Sequence, residues 1–196
     1  MYTCAESNLV LGHRRLALIE LSPSGHQPMK YSDRYIITFN GEIYNFHELK
    51  SELMQTGLAF HTQCDTEVIL AAFAQWNTQS FARLKGMFAF ALYDTLEKDL
   101  YLVRDPSGIK PLYYTVSHTA IEFASEIRAF AATGTKSENP HWPVYQLAYG
   151  HIPEPVTTLQ DIKPLHKGCF YKYNVVTGSS SYQSFTHYSY SSTLND

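Results

Sequence analysis

The chain is 196 residues long, 44% hydrophobic, with 15 basic and 18 acidic residues and a formal net charge of −3. That length can bury one sizeable core, so one domain is expected. No run of either charge sign occurs, which argues against a nucleic-acid face or a membrane-surface helix. No apolar run approaches the ~20 residues of a membrane helix, and no secretory leader pattern opens the chain.

Cys4, Cys64 and Cys169 are too few and too scattered for a disulfide framework, so a reducing, cytoplasmic setting is expected. The histidines include no HxH or HExxH pair and no Cys/His cluster, and no metal site is expected.

Along the chain, Leu16–Leu21 and Tyr35–Phe39 read as strands. The stretch TFNGEIYN, Thr38 to Asn45, then intervenes. An Asn-Gly pair between apolar runs is the strongest short signal for a tight turn, because glycine reaches positive φ freely and asparagine tolerates it. The residues after Tyr44 read as a helix instead of a second strand. Asn45 precedes Glu48 in the manner of a capping box, and Phe46, Leu49 and Leu53 share a stripe that ends near Gly57. A strand that stops at Asn-Gly ahead of a helix would leave N–H groups and an amide side chain facing outward, which suits the binding of a carbonyl oxygen.

A second helix is predicted over Thr66–Trp76, where Val68, Ile69, Ala72, Phe73 and Trp76 share a face. Strands are predicted at Met87–Tyr93, Leu100–Val103, Pro111–Val116, Ile121–Ala124 and Phe170–Val176. In GMFAFALYD both parities are apolar, so this strand should be covered on both faces, as happens when two sheets pack together under outer helices. The prediction is an α+β layered sandwich of largely antiparallel sheets. A parallel doubly wound sheet is the alternative, weighed lower because only short turns separate the strands between Met87 and Ala124. Asp105–Gly108 reads as a hairpin turn without chemistry, KSENPHWP as a polar loop, YGHIPEPVTT as irregular, and VTG as the corner of a last hairpin. The domain is placed at 1–178, with the Tyr/Ser/Thr-rich 179–196 as a linker or disordered tail.

The segments GHRRLALIELSPSGHQPM, FNGEIYN, DTEVILAAF, LKGMFAFALYD, RDPSGIKPLYY, FASEIRAF and YGHIPEP, in this order, resemble the class II glutamine amidotransferase domain of asparagine synthetases. Relatives acting on phosphoribosyl pyrophosphate or fructose 6-phosphate share the Asn-Gly pair, but HRRLALIELS and GIKPLYY resemble the asparagine synthetase branch, which includes β-lactam synthetase-like proteins. The resemblance implies the N-terminal nucleophile hydrolase fold, a four-layer αββα sandwich. It also implies glutamine hydrolysis to glutamate and ammonia through a γ-glutamyl thioester, with ammonia passed to an ATP-dependent synthetase domain that amidates aspartate or a related acceptor.

By the same resemblance, Asn40 would offer its side-chain amide and Gly41 its backbone N–H to the oxyanion formed on the glutamine carbonyl. Arg15 would hold the substrate α-carboxylate through a guanidinium fork, with Arg14 facing the surface. Asp65 would pair with the α-ammonium, a role compatible with capping the helix at Thr66, and Glu42 would line the same pocket. Taken singly, each has a plainer reading: a turn pair, a surface arginine, a helix cap, an exposed turn carboxylate.

The family's nucleophile is a cysteine at the mature amino terminus, its own α-amino group acting as base. Cys4 stands behind Met1, Tyr2 and Thr3 and is not that counterpart. The domain is therefore expected to be incomplete at its N-terminus, as a fragment first, a degenerate relative second, and a chain activated by unusual processing at Cys4 last. No SGGxDS-type loop occurs, so ATP and Mg are assigned to a synthetase domain outside these residues and no cofactor to this one. Loss of such a nucleophile costs ~10⁶ in turnover in well-studied cases, so the chain alone is expected to be nearly inert as a glutaminase. Loss of an inner strand should also leave it marginally stable or dependent on a partner. Two further readings stay open, a silent glutamine-binding module and a structural remnant without a ligand. The expected partners are glutamine and a synthetase domain, with no nucleic acid and no membrane; a homodimer is left open.

Overall fold

The computed structural model describes residues 1–14, 25–117, 120–134 and 136–186. The strand expected at Leu16–Leu21, and Arg15 with it, lie outside the described residues.

The chain opens with a small antiparallel pair, β1 (Tyr2–Cys4) and β2 (Leu9–Leu11). β3 (Met29–Tyr31) and β4 (Tyr35–Ile43) lead to the helices α1 (Phe46–Gln55) and α2 (Asp65–Trp76) and a 3-10 segment, Asn77–Arg83. β5 (Gly86–Asp94) and β6 (Asp99–Arg104) come next, then β7 (Tyr113–Val116), β8 (Ile121–Ala124), α3 (Ile127–Ala131) and α4 (Trp142–Tyr149). The last elements are β9 (Lys163–Pro164), β10 (Cys169–Asn174) and β11 (Ser180–Ser184). One sheet has six strands in the order β11-β10-β6-β5-β4-β3, and another has three in the order β8-β7-β9. All their pairings are antiparallel, which removes the doubly wound alternative.

Both faces of the six-stranded sheet are covered, as the apolar run in β5 requires. Phe88, Phe90 and Leu92 pack with Leu49 and Leu53 of α1 and Val68, Ile69 and Phe73 of α2. Ala89, Ala91 and Tyr93 pack on the opposite face with Leu9, Leu11, Leu112 and Leu165, beside Tyr114 of β7 and Phe123 of β8. Helices α1 and α2 therefore lie on one side of the large sheet and the two small sheets on the other, where α3 packs against β8. No helix among the described residues is long and apolar enough to cross a membrane.

Several local expectations are corrected. The Asn-Gly pair is neither a turn nor a strand end, because β4 runs through it to Ile43 in unbroken register with β5. Asn45 occupies the N-cap of α1 without a side-chain cap bond. Its amide instead donates to Arg83 O (3.0 Å) and accepts from Lys85 N–H (2.9 Å), tying the start of α1 to the approach to β5. Asn45→Ala is expected to cost about 1–2 kcal/mol, read as a lowered urea midpoint at unchanged slope, because it strands one carbonyl and one N–H.

The N-cap of α2 is Cys64, so Asp65 is the first helical residue and not the cap. The turn after β6 joins strands of different sheets and is not a hairpin corner. It is built around the fully buried Asp105, whose carboxylate accepts N–H groups from Phe88, Ser107, Ile109 and Lys110. The stretch expected to be polar loop and irregular chain contains α4, with a proline in its first turn and Gly150 at φ +72° after its end. The tail boundary at residue 178 falls inside a hairpin, since Ser180–Ser184 pairs with β10 at the edge of the large sheet. A linker reading is removed for 180–184, and residues 187–196 lie outside the described residues.

Candidate functional site

Along β4 the side chains alternate between two environments. Tyr35, Ile37, Phe39 and Ile43 enter the helix-side core, while Thr38, Asn40 and Glu42 line a cleft. That cleft, of about 970 Å³, has Ala89 and Ala91 of β5 beside them and is bordered by Gly12–Arg14, by the end of β8 with Ser125, and by the first turn of α2.

The backbone of β4 explains what this wall offers. β4 pairs with β5 over its whole length but with β3 only from Tyr35 to Ile37. Tyr44 N–H reaches Lys85 O on the β5 side, so by strand alternation the N–H groups of Phe39, Gly41 and Ile43 point to the other edge. Two of these three meet side chains. Phe39 N–H donates to Gln27 Oε1 at 2.6 Å, and Ile43 N–H donates to Asp65 Oδ2 at 3.0 Å. Gly41 N–H lies between them. Glycine is needed there whether or not a ligand is bound: φ is +148°, and a Cβ would stand 2.1 Å from Met87 O and 2.7 Å from Phe88 Cα.

Asn40 projects into the cleft, and its Nδ2 donates to Ser125 Oγ at 3.4 Å. An amide nitrogen carries two N–H groups, so a second donor remains. Asp65 is 5% exposed. Burial holds its carboxyl above the usual carboxylate range, and nearby Glu42 pushes the same way, against the pull of the Ile43 and Thr66 N–H groups. A cation placed against this pair would relieve that cost. Two carboxylates beside an amide and a backbone donor can thus hold an ammonium and a carbonyl oxygen in one cleft. No metal-binding group of side chains occurs among the described residues.

Of the residues singled out from sequence, Asn40, Gly41, Glu42 and Asp65 come together on this cleft. Arg15 lies outside the described residues. Arg14, expected to face the surface, is exposed but borders the cleft. Cys4 is not among the lining residues; its thiol is hydrogen-bonded to Ser7, which holds it below the ordinary thiol range. Sequence reasoning missed Gln27, Cys64, Lys110 and Ser125, all on the cleft. Gln27, Lys110 and Ser125 carried a signal only as members of the GHQPM, RDPSGIKPLYY and FASEIRAF segments, none of which marks them by periodicity, and Cys64 carried none.

A family model described as "Glutamine amidotransferase domain" matches residues 2–186. The putative asparagine synthetase [glutamine-hydrolyzing] of Mycobacterium tuberculosis is 39% identical over 177 residues, covering 85% of this chain and 27% of its own. Asparagine synthetase [glutamine-hydrolyzing] 1 of Bacillus subtilis is 38% identical over 165 residues, covering 83% of this chain and 26% of its own. The chain thus spans about a quarter of the length of the curated relatives it matches. Among solved structures, glutamine phosphoribosylpyrophosphate amidotransferase from B. subtilis aligns with a TM-score of 0.64 at 22% identity, over 89% of this chain and 34% of that one. A glutamine aminotransferase class-II domain protein from Silicibacter pomeroyi aligns with a TM-score of 0.51 at 16% identity, over 84% of this chain and 72% of that one. These structural likenesses carry the fold, an α+β sandwich of the N-terminal nucleophile hydrolase type. With the family model spanning nearly every residue, this chain belongs to the glutamine amidotransferase domain family, and in sequence it is similar to the corresponding part of asparagine synthetases.

Proposed function

We propose that the cleft binds free glutamine, and that in the longer asparagine synthetase-like proteins the domain releases ammonia from it to amidate aspartate or a related acceptor. One observation carries this reading: Asp65 at the start of α2 borders the same cleft as the β4 tripeptide Asn40, Gly41 and Glu42. Asp65, with Glu42 beside it, takes the α-ammonium, and Arg15 takes the α-carboxylate. Asn40 Nδ2 and Gly41 N–H take the side-chain carbonyl oxygen. Attack of a thiolate on that carbonyl carbon places a negative charge on this oxygen, and the two donors lower the barrier by stabilising it. ATP and Mg belong to the remainder of the longer proteins, which would act as the partner, and this domain needs no cofactor. A cytoplasmic setting accords with three unpaired thiols.

The cysteines favour a second statement, about these 196 residues by themselves. Cys4 is engaged with Ser7, Cys64 is 4% exposed and bonded to the Thr62 hydroxyl at 3.0 Å, and Cys169 is buried in β10. Binding without turnover is the behaviour expected of them. Calorimetric titration with L-glutamine, paired with an ammonia-release assay, tests both statements. The expected result is saturable binding of L-glutamine, none of glutaramate, which lacks only the ammonium, and no ammonia. A flat L-glutamine titration would overturn the glutamine reading, and ammonia release abolished by Asn40→Ala would overturn the second statement.

A further inference from the structure

We infer that Gln27 is a positioning residue of the cleft: its carboxamide stands in for a strand beside β4 and keeps the Gly41 N–H edge open to a ligand. The inference rests on the glutamine reading above for the identity of that ligand, and on backbone geometry for everything else.

The register of β3 with β4 sets Met29 opposite Ile37, Lys30 opposite Ile36 and Tyr31 opposite Tyr35. Continued backwards, it would set Pro28 opposite Thr38, Gln27 opposite Phe39 and Gly25 opposite Gly41. The ladder stops instead at Met29. Gly25 lies in a 3-10 turn, so the chain has left strand geometry where it would have faced Gly41. An abandoned strand edge leaves buried donors that must find other acceptors. Phe39 N–H finds one in the side chain of the residue that register would have placed opposite it, Gln27 Oε1, at 2.6 Å. Gln27 is 6% exposed and borders the cleft.

The consequence falls on the next donor of the same edge. Had the backbone ladder continued, a carbonyl near Gly25 would occupy the space in front of Gly41 N–H. A side-chain acceptor ends the pairing one step short of that. On the far side of Gly41, the Asp65 carboxylate serves Ile43 N–H in the same way. Two side chains therefore hold the edge in strand geometry on either side of one donor, and a ligand carbonyl reaching Gly41 N–H takes the place of a missing ladder partner.

The test uses the whole chain in two variants, Gln27→Met, which keeps the volume and loses the acceptor, and Gln27→Glu, which restores an acceptor. Amide hydrogen exchange by NMR reads the Phe39 and Gly41 N–H groups, and calorimetry reads L-glutamine affinity. Gln27→Met is expected to speed Phe39 exchange by ~10-fold or more, shift the Gly41 amide resonance and weaken L-glutamine binding by ~10-fold, the scale of one lost buried hydrogen bond. Gln27→Glu is expected to return Phe39 exchange to the wild-type rate. Unchanged Phe39 exchange in Gln27→Met, or no recovery in Gln27→Glu, would overturn the positioning role. Faster exchange with unaltered L-glutamine affinity would overturn its link to the ligand. Wild-type protein that shows the exchange pattern but binds no L-glutamine would sink the ligand reading and leave the edge-holding role standing.

Discussion

Asp65→Asn is expected to weaken L-glutamine binding by ~30-fold or more while leaving the protein as stable at neutral pH as before, or more so. The binding loss follows from removing a buried carboxylate that faces a ligand ammonium, a change that typically costs about 2–5 kcal/mol. The stability effect has the opposite sign. In the ligand-free protein burial, with Glu42 nearby, raises the Asp65 carboxyl above its unfolded value. A group raised in this way contributes stability that is fully present below the unfolded value, ~3.9 for aspartate, and is lost as pH rises through the folded one. At neutral pH the ionised carboxylate is therefore a net cost, which asparagine removes while still offering an oxygen to Ile43 N–H. Urea midpoints of wild type and variant should coincide near pH ~4 or below, diverge as pH rises through the folded Asp65 value, and stay apart above it. Ligand affinity of the wild type should fall in the opposite direction, as acidification protonates Asp65. A variant that is destabilised at neutral pH, or that binds glutamine as tightly as wild type, would contradict the assignment.

Gly41→Ala is expected to destabilise the fold by about 3 kcal/mol or more. Two costs add: a Cβ 2.1 Å from Met87 O, where backbone must move, and a positive φ that alanine resists. Gly57→Ala separates them, since Gly57 has φ +91° but open space around its Cβ position, and it should cost only the smaller backbone part, ~1 kcal/mol. Gly86 faces Gly41's neighbour across the same strand pair, with a Cβ position 2.1 Å from Glu42 O, and Gly86→Ala should be nearly as damaging as Gly41→Ala. Thermal melts of the three variants rank these effects. This result bears on function too: the glycine is required by the contact of β4 with β5 whether or not a ligand uses its N–H. Loss of binding in Gly41→Ala would therefore not by itself assign Gly41 a role, whereas Gln27→Met and Asp65→Asn leave that contact intact.

What periodicity and composition could carry was carried by local chemistry. The helical stripe of Phe46, Leu49 and Leu53 that became α1, and the double burial of GMFAFALYD, were legible because each depends on the side-chain order of one short segment. The motif set was legible as a resemblance, and it named four residues that border one cleft. The Asn-Gly pair was misread for the complementary reason. Its dipeptide chemistry favours a turn, but the nine-residue register with β5, a contact across more than forty positions of chain, holds it extended and uses the glycine for close approach. Asn45 was misread likewise, because Arg83 O and Lys85 N–H outcompete a local cap. The roles of Gln27 and Ser125 were marked by neither periodicity nor composition, although both residues sit in the motif segments. A buried side chain answering Phe39 N–H exists only because β3 stops two residues short of it, and where a strand stops is a property of the assembled sheet.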